Sequence, residues 1–173
     1  LSTSAIPKSK SIYFPLHETP EDTTYPAGWN FEDQIYAVEY LSELIPDNIV
    51  ILVKEHPSQK FWRGRYIGFY NDLLKIQKVK LISQKVDSFT LLDNAIAVST
   101  ITGQAGWEAI TNNKPVIYFG DAWYKGAPGS ISIDMFYNMS KSERNKALSN
   151  DFSNSIDEWY EKFLNRSIPG YIS

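Results

Sequence analysis

The chain alternates between short, continuously apolar runs and longer stretches in which apolar residues recur every three or four positions. Residues 49–53 are β-branched residues and leucine, which is typical of a strand buried on both faces. Residues 31–44 place apolar side chains at three-residue spacing, which predicts an amphipathic helix. The two patterns predict five strands with helices between them, the strands lying at residues 11–16, 49–53, 79–82, 95–99 and 115–119.

Strands and helices that alternate through short connections predict an α/β fold, a doubly wound parallel sheet of the Rossmann-like type. We expect residues 1–173 to form one such domain, with C-terminal helices in residues 140–173. Residues 131–135 have the pattern of a weak strand or a turn.

Polar clusters follow four of the predicted strands, at residues 17–24, 54–57, 99–103 and 121–129. Parallel strands end at a common edge, and open α/β sheets bind their ligands there, so we expect the clusters to converge on one site. His17, Glu21 and Trp123 are candidate substrate-facing residues in these clusters, although turn formation explains His17 and Glu21 equally well.

Residues 97–120 are the most informative segment, a predicted strand, turn, helix and strand. Thr100, Thr102 and Gly103 stand where the strand ends and the helix begins, a position at which free backbone N–H groups and the helix dipole favour an anion. Glu108 is the one carboxylate of the helix. An ordinary βαβ unit in which Thr102 caps the helix and Gly103 eases the turn explains the same residues.

Composition excludes several classes of function. The net charge is −3 and the pI about 5.4, so no basic face for nucleic acid is expected. The chain has no cysteine and two histidines, and its carboxylates lack metal-ligand spacing, so we expect no metal and no other cofactor. No apolar run approaches the roughly 20 residues that span a bilayer. We expect a cytoplasmic protein.

Five short motifs stand in order along the chain: FPLH at 14–17, VKEHP at 53–57, TITG at 100–103, GWEA at 106–109 and KP at 114–115. Together they resemble the bacterial capsule polysaccharide biosynthesis proteins, relatives of the Kdo transferases of capsule export systems. The resemblance covers residues 12–124. It implies the two-domain GT-B glycosyltransferase fold, of which this chain would be the C-terminal, nucleotide-binding half.

The resemblance also implies roles for individual residues. His56 would contact the donor phosphate or leaving group, Thr102 and Gly103 would hold the phosphate, and Glu108 would bind the ribose. Gln104 departs from the family pattern, in which a small or hydroxyl residue is common. The complete predicted nucleotide-binding set is Lys54, His56, Pro57, Thr100, Thr102, Gly103 and Glu108.

Two basic positions near this set have alternative explanations. Lys54 could be a solvated or ion-paired lysine instead of a phosphate contact. Arg65, in the basic loop that follows the second strand, is expected to be a solvated charge, with contact to an anionic sugar or lipid head group as the alternative.

The expected function is nucleotide-sugar binding within a capsule or surface polysaccharide glycosyltransferase, with CMP-Kdo as the favoured donor. The chain begins without methionine, so we expect it to be a domain of a longer protein and inactive alone. The catalytic base and the glycan or lipid-linked acceptor would belong to the absent domain, and the whole protein could associate peripherally with the inner membrane. The alternatives are a sugar-nucleotide epimerase, a glycerophosphotransferase of the same architecture, or a non-catalytic domain of a capsule assembly complex.

Overall fold

A single parallel sheet forms the centre of the computed structural model, which describes residues 2–19, 28, 31–61 and 64–166. Its strands are β1 (Ser11–Pro15), β2 (Val50–Lys54), β3 (Val79–Ile82), β4 (Ala97–Thr100), β5 (Val116–Tyr118) and β6 (Ser130–Ser132). Their order across the sheet is β3-β2-β1-β4-β5-β6. This is the order of a doubly wound, Rossmann-like sheet, so the predicted fold class is confirmed.

Helices cover both faces of this sheet. They are α1 (Gln34–Leu44), α2 (Phe69–Lys75), α3 (Ser88–Asn94), α4 (Gln104–Thr111), α5 (Ile133–Asn138), α6 (Lys141–Ala147) and α7 (Ser153–Arg166), with a 3₁₀ helix at Pro57–Phe61. Within the described ranges, no helix is long and apolar enough to cross a membrane.

The alternation of side chains along each strand divides the core into two layers. Ile12 and Phe14 of β1 point to the face covered by α1, α2 and α5, whereas Tyr13 points to the face covered by α3 and α4. The same division holds in β2, where Leu52 lies on the Tyr13 side. A strand buried on both faces needs apolar residues at every position, which explains the uninterrupted apolar runs.

The segment 131–135 is where the prediction was correct only in part. Ile131 lies in β6 and pairs with Ile117 of β5, so the chain forms a sixth parallel strand. The strand stops because Ser132 caps α5, with its side chain accepting a hydrogen bond from the Met135 backbone N–H. The residues expected to continue a strand or turn are therefore helical.

Strand order reverses between β1 and β4, and this reversal fixes the position of the site. The chain leaves β1 toward β2 on one side, and the later strands β4, β5 and β6 fill the other side. The connections after β1 and β4 consequently diverge and leave a crevice at the carboxyl ends of the two strands.

Candidate functional site

A cleft of about 270 Å³ occupies this crevice. Its walls come from the residues that follow β1 and β2, the end of β4, and the first turns of α3 and α4. It therefore lies where three of the four predicted polar clusters meet. The fourth cluster, residues 121–129, does not line it; the Tyr124 side chain of that cluster is fully buried and packs against Gly106 of α4.

His17 is buried at the side of this cleft nearest β4. Its Nε2 lies 2.8 Å from Oγ1 of Thr100, the last residue of β4. The Gln34 side chain holds the His17 backbone on both sides, accepting from its N–H at 2.7 Å and donating to its carbonyl at 3.2 Å. The loop after β1 is thus fixed by side chains that replace strand hydrogen bonds.

Gly103 permits the close approach of the loops after β1 and β4. Its N–H donates to Thr100 Oγ1 at 3.2 Å, and a Cβ on Gly103 would lie 2.9 Å from both Thr100 Oγ1 and His17 Cε1. Gly103 is also the N-cap of α4, so the expectation that Thr102 caps this helix is wrong. Thr102 does not line the cleft, whereas Gly103 does.

His56 lies on the other side of the cleft, after β2, and its hydrogen bonds determine its tautomer. Nδ1 accepts a hydrogen bond from the backbone N–H of Ser58 at 3.2 Å. A neutral imidazole that accepts at Nδ1 carries its proton at Nε2, which then acts as a donor. Pro57 follows directly and begins the 3₁₀ helix, which turns the chain away from the cleft.

Lys54 lies at the floor of the cleft with 5% of its surface exposed. Its Nζ donates to Oγ of Ser88 at 2.7 Å, and no described carboxylate lies within ion-pair distance of it. Burial lowers the pKa of the Lys54 ammonium below its usual value, and the nearby Asp87 carboxylate opposes that shift. A buried cation without a carboxylate partner favours an anionic ligand.

Glu108 lies on the α4 side of the cleft, one helical turn beyond Gln104. Its carboxylate accepts no hydrogen bond from the side chains and backbone of the described residues. Tyr13 faces it from β1, and burial, reinforced by the Glu108 and Asp87 charges, raises the pKa of the Tyr13 hydroxyl. Tyr13 therefore remains a neutral hydrogen-bonding group beside the carboxylate.

Sequence reasoning missed two groups of this site, the hydroxyls of Tyr13 and Ser88. Tyr13 was counted only as part of an apolar strand, although its hydroxyl lies 3.4 Å from Ser88 Oγ. Ser88 directly follows Asp87, the cap residue of α3, and had no predicted role. The position of Ser88 next to a lysine that ends a neighbouring strand is a tertiary feature with no local signal.

One predicted substrate-facing residue, Trp123, is not brought to the cleft. Trp123 is 42% exposed and packs on Trp107 and Phe163, with ring centroids 4.7 and 5.6 Å away. It belongs to an aromatic cluster between α4 and α7. Glu21 lies outside the described residues. No group of three or more His, Asp or Glu side chains in the described ranges is arranged to hold a metal ion.

A larger cavity, of about 940 Å³, lies at the opposite edge of the sheet. Its walls include residues that precede strands, such as Lys10, Asn48, Ile96 and Pro115. Ligands of open α/β sheets bind at the carboxyl ends of the strands. The smaller cleft lies at those ends and is lined by Lys54, His56 and Glu108. The smaller cleft is therefore the candidate site.

Comparison with known proteins identifies the family of the chain. Residues 2–158 match the family described as "Capsule polysaccharide biosynthesis protein". Over 76 residues, the chain is 34% identical to the capsule polysaccharide modification protein LipA of Neisseria meningitidis serogroup A, and equally to that of serogroup B. This segment is 44% of the chain and 10% of LipA.

Solved structures share the fold. The beta Kdo 2,7 transferase of Thermosulfurimonas dismutans KpsC superposes with a TM-score of 0.60 at 20% identity, over 93% of this chain and 56% of that one. The KpsC beta Kdo 2,4 transferase gives 0.54 at 17% identity, over 83% and 45%. The Staphylococcus aureus MnaA-UDP co-structure gives 0.55 at 15%, over 95% and 48%. The chain spans about half the length of each.

Proposed function

Because the chain belongs to the capsule polysaccharide biosynthesis protein family, we propose that it is the nucleotide-sugar-binding domain of a glycosyltransferase that makes bacterial capsule or surface polysaccharide. The donor we propose is of the CMP type, CMP-Kdo in particular. The acceptor, a glycan or lipid-linked glycan, and the catalytic base would be provided by a second domain of a GT-B enzyme.

The observation that carries the proposal is the convergence of charge-complementary groups at the strand-order reversal. Lys54 supplies a buried positive charge, and His56 Nε2–H supplies a donor on the same side. Gly103 precedes the first turn of α4, where free N–H groups and the helix dipole favour phosphate. Glu108, a turn further along, is an acceptor for ribose hydroxyls. The cleft thus offers donors to phosphate and one acceptor to a sugar.

These groups would act on the departing nucleotide. When the bond between the sugar and the phosphate oxygen breaks, its electron pair stays with the phosphate, where negative charge increases. Lys54, His56 and the N-terminus of α4 would stabilise that charge through donors already fixed in place by the fold. The domain would thereby hold the donor and assist the leaving group, while activation of the acceptor hydroxyl takes place elsewhere.

Titration calorimetry with CMP, CDP and UDP tests the proposal directly. We expect the parent chain to bind at least one of them, CMP most tightly. His56→Ala should weaken that binding about tenfold, since one hydrogen bond to a charged phosphate is lost. Failure of all three nucleotides to bind to the folded chain would contradict the site. A preference for UDP would favour a UDP-linked donor in place of CMP-Kdo; UDP is the nucleotide in the MnaA co-structure.

Glu108 provides a second test, because its proposed partner is an uncharged ribose hydroxyl and not the charged phosphate. Glu108→Gln should weaken nucleotide binding about fivefold, since a charge-assisted hydrogen bond to a ribose hydroxyl becomes a neutral one. The matching deoxyribose analogues, dCMP, dCDP or dUDP, should bind the parent more weakly than the ribose nucleotide by a comparable factor and should bind the variant and the parent alike. Glu39→Gln, an exposed change on α1, is the matched control and should have no effect. Equal loss of ribose and deoxyribose binding in Glu108→Gln would contradict the role.

A further inference from the structure

The two histidines of the chain occupy equivalent positions on neighbouring strands. Pro15 of β1 is paired in register with Lys54 of β2, and each histidine lies two residues beyond its member of that pair. His17 and His56 therefore leave the sheet side by side at the carboxyl edge, and both line the cleft. Their separation depends on how the two loops are held together beyond the last strand hydrogen bonds.

One side chain connects these loops. The guanidinium of Arg65 donates from Nη2 to the His17 carbonyl at 2.5 Å and from Nη1 to Thr19 Oγ1 at 2.6 Å. The same group binds Glu55 bidentately, Nε to Oε2 at 2.8 Å and Nη2 to Oε1 at 2.9 Å. Arg65 thus joins the loop after β1 to the loop after β2.

Glu55 carries the connection on to His56. Its Oε1 accepts from the backbone N–H of His56 at 2.6 Å, and its Oε2 accepts from the Tyr70 hydroxyl at 2.8 Å. Burial, with the hydrogen bond to Glu55 adding to it, raises the pKa of Tyr70 to about 12, so this hydroxyl stays a donor at neutral pH. The carboxylate is therefore held on one side by α2 and on the other by Arg65.

The Arg65–Glu55 ion pair is buried, unlike an ordinary surface ion pair. The Arg65 and Glu55 side chains are 5% and 9% exposed. A buried pair of charges frequently contributes no more to stability than apolar side chains of the same volume, so stability alone does not account for it. What an apolar pair could not do is hold two backbone loops at hydrogen-bond distance.

We propose that the Glu55–Arg65 pair is a positioning device that fixes His17 and His56 relative to each other across the cleft. Arg65 holds the His17 backbone so that its Nε2 meets Thr100, and Glu55 holds the His56 backbone so that its Nδ1 meets Ser58. Arg65 does not line the cleft; Glu55 lies at its edge, and its carboxylate oxygens already accept from Arg65, the Tyr70 hydroxyl and the His56 N–H. The inference rests on the proposed function only in taking the cleft as the nucleotide site.

Histidine NMR of the whole chain tests the proposal independently of ligand binding, because the chain contains two histidines, whose rings give two separate sets of signals. Arg65→Lys keeps the charge but cannot form the bidentate fork and both loop contacts at once. We expect the ring signals of both His17 and His56 to shift or broaden in Arg65→Lys. Arg144→Lys is the matched control, since Arg144 donates to three backbone carbonyls outside the cleft, and it should move neither signal.

Nucleotide affinity provides the second readout. Arg65→Lys should bind the nucleotide preferred by the parent about tenfold more weakly, because the loops that carry His17 and His56 would no longer be held together, and Arg144→Lys should bind it normally. If Arg65→Lys does not fold, Tyr70→Phe removes only the hydroxyl that supports Glu55 and should shift both ring signals by smaller amounts. Unchanged ring signals, or a change in one histidine alone, would overturn the proposal. A parent that binds no nucleotide would refute the proposed function and leave this test intact.

Discussion

Replacing Lys54 with methionine is expected to weaken nucleotide binding by about 10- to 100-fold, the value of a hydrogen-bonded charge on a phosphate. The same change should leave the free energy of unfolding equal to that of the parent or higher. Lys54 is buried with its ammonium beside a hydroxyl instead of a carboxylate, so burial of the charge opposes folding when no ligand is present. Methionine fills a similar volume without a charge.

Opposite effects on binding and stability distinguish a ligand contact from a structural residue. A structural lysine would lose stability when replaced and affect binding only through misfolding. Lys80→Met is the matched control, because Lys80 is exposed on β3 and its replacement changes the net charge equally. Isothermal titration and thermal unfolding of both variants measure the two effects. Normal affinity in Lys54→Met would remove this residue from the site.

The lowered pKa of Lys54 also predicts a pH dependence. A bound phosphate favours the charged ammonium, so CMP affinity should be highest below the Lys54 pKa and fall as pH rises through it, within the range below the ordinary value of 10.5. Tyr13 faces the same cleft, but its pKa is raised, and the pKa of Asp87 is lowered. Neither group therefore changes its charge in this pH range before Lys54 does. Lys54→Met should abolish the decline. Without ligand, parent stability should instead rise with pH across this range, since the unfolded chain binds more protons there.

The sequence predicted most of the fold because buried parallel strands have a strong local signal. The apolar runs give five of the six strands, and β6 was ambiguous because it has only one fully apolar residue, Ile131, between two serines. The sequence was therefore sufficient to predict the elements that a local apolar pattern determines.

The site was predictable only to the extent that its residues follow strands. Lys54 ends β2, His56 lies two residues beyond it, and Gly103 lies three residues beyond the end of β4. The topology brings these strand ends together. Arg65 was expected to be a solvated charge, but its side chain is buried on Glu55, ten residues earlier. Trp123 also follows a strand, yet it packs with α7. Which way a long loop folds depends on tertiary partners that spacing does not reveal.

Gly106→Ala should lower the free energy of unfolding by about 2–3 kcal/mol. A Cβ at this position would lie 2.0 Å from the hydroxyl oxygen of Tyr124 and 2.4 Å from its Cζ. Tyr124 is fully buried, so its ring cannot turn away, and its hydroxyl donates to the Gly103 carbonyl at 3.1 Å. Helix propensity alone predicts the opposite sign, a gain of about 1 kcal/mol for alanine, and the clash outweighs it.

The clash also bears on the cleft, because the Tyr124 hydroxyl holds the residue that begins α4. In thermal unfolding, Gly106→Ala should melt roughly 5–10 °C below the parent, and Gly64→Ala, where the added Cβ meets nothing within 4 Å, should not. The double change with Tyr124→Ala should cost no more than Tyr124→Ala alone, since the atoms in conflict are gone. A Gly106→Ala chain as stable as the parent would contradict this packing, and one that melts early but binds nucleotide normally at low temperature would separate the clash from the site.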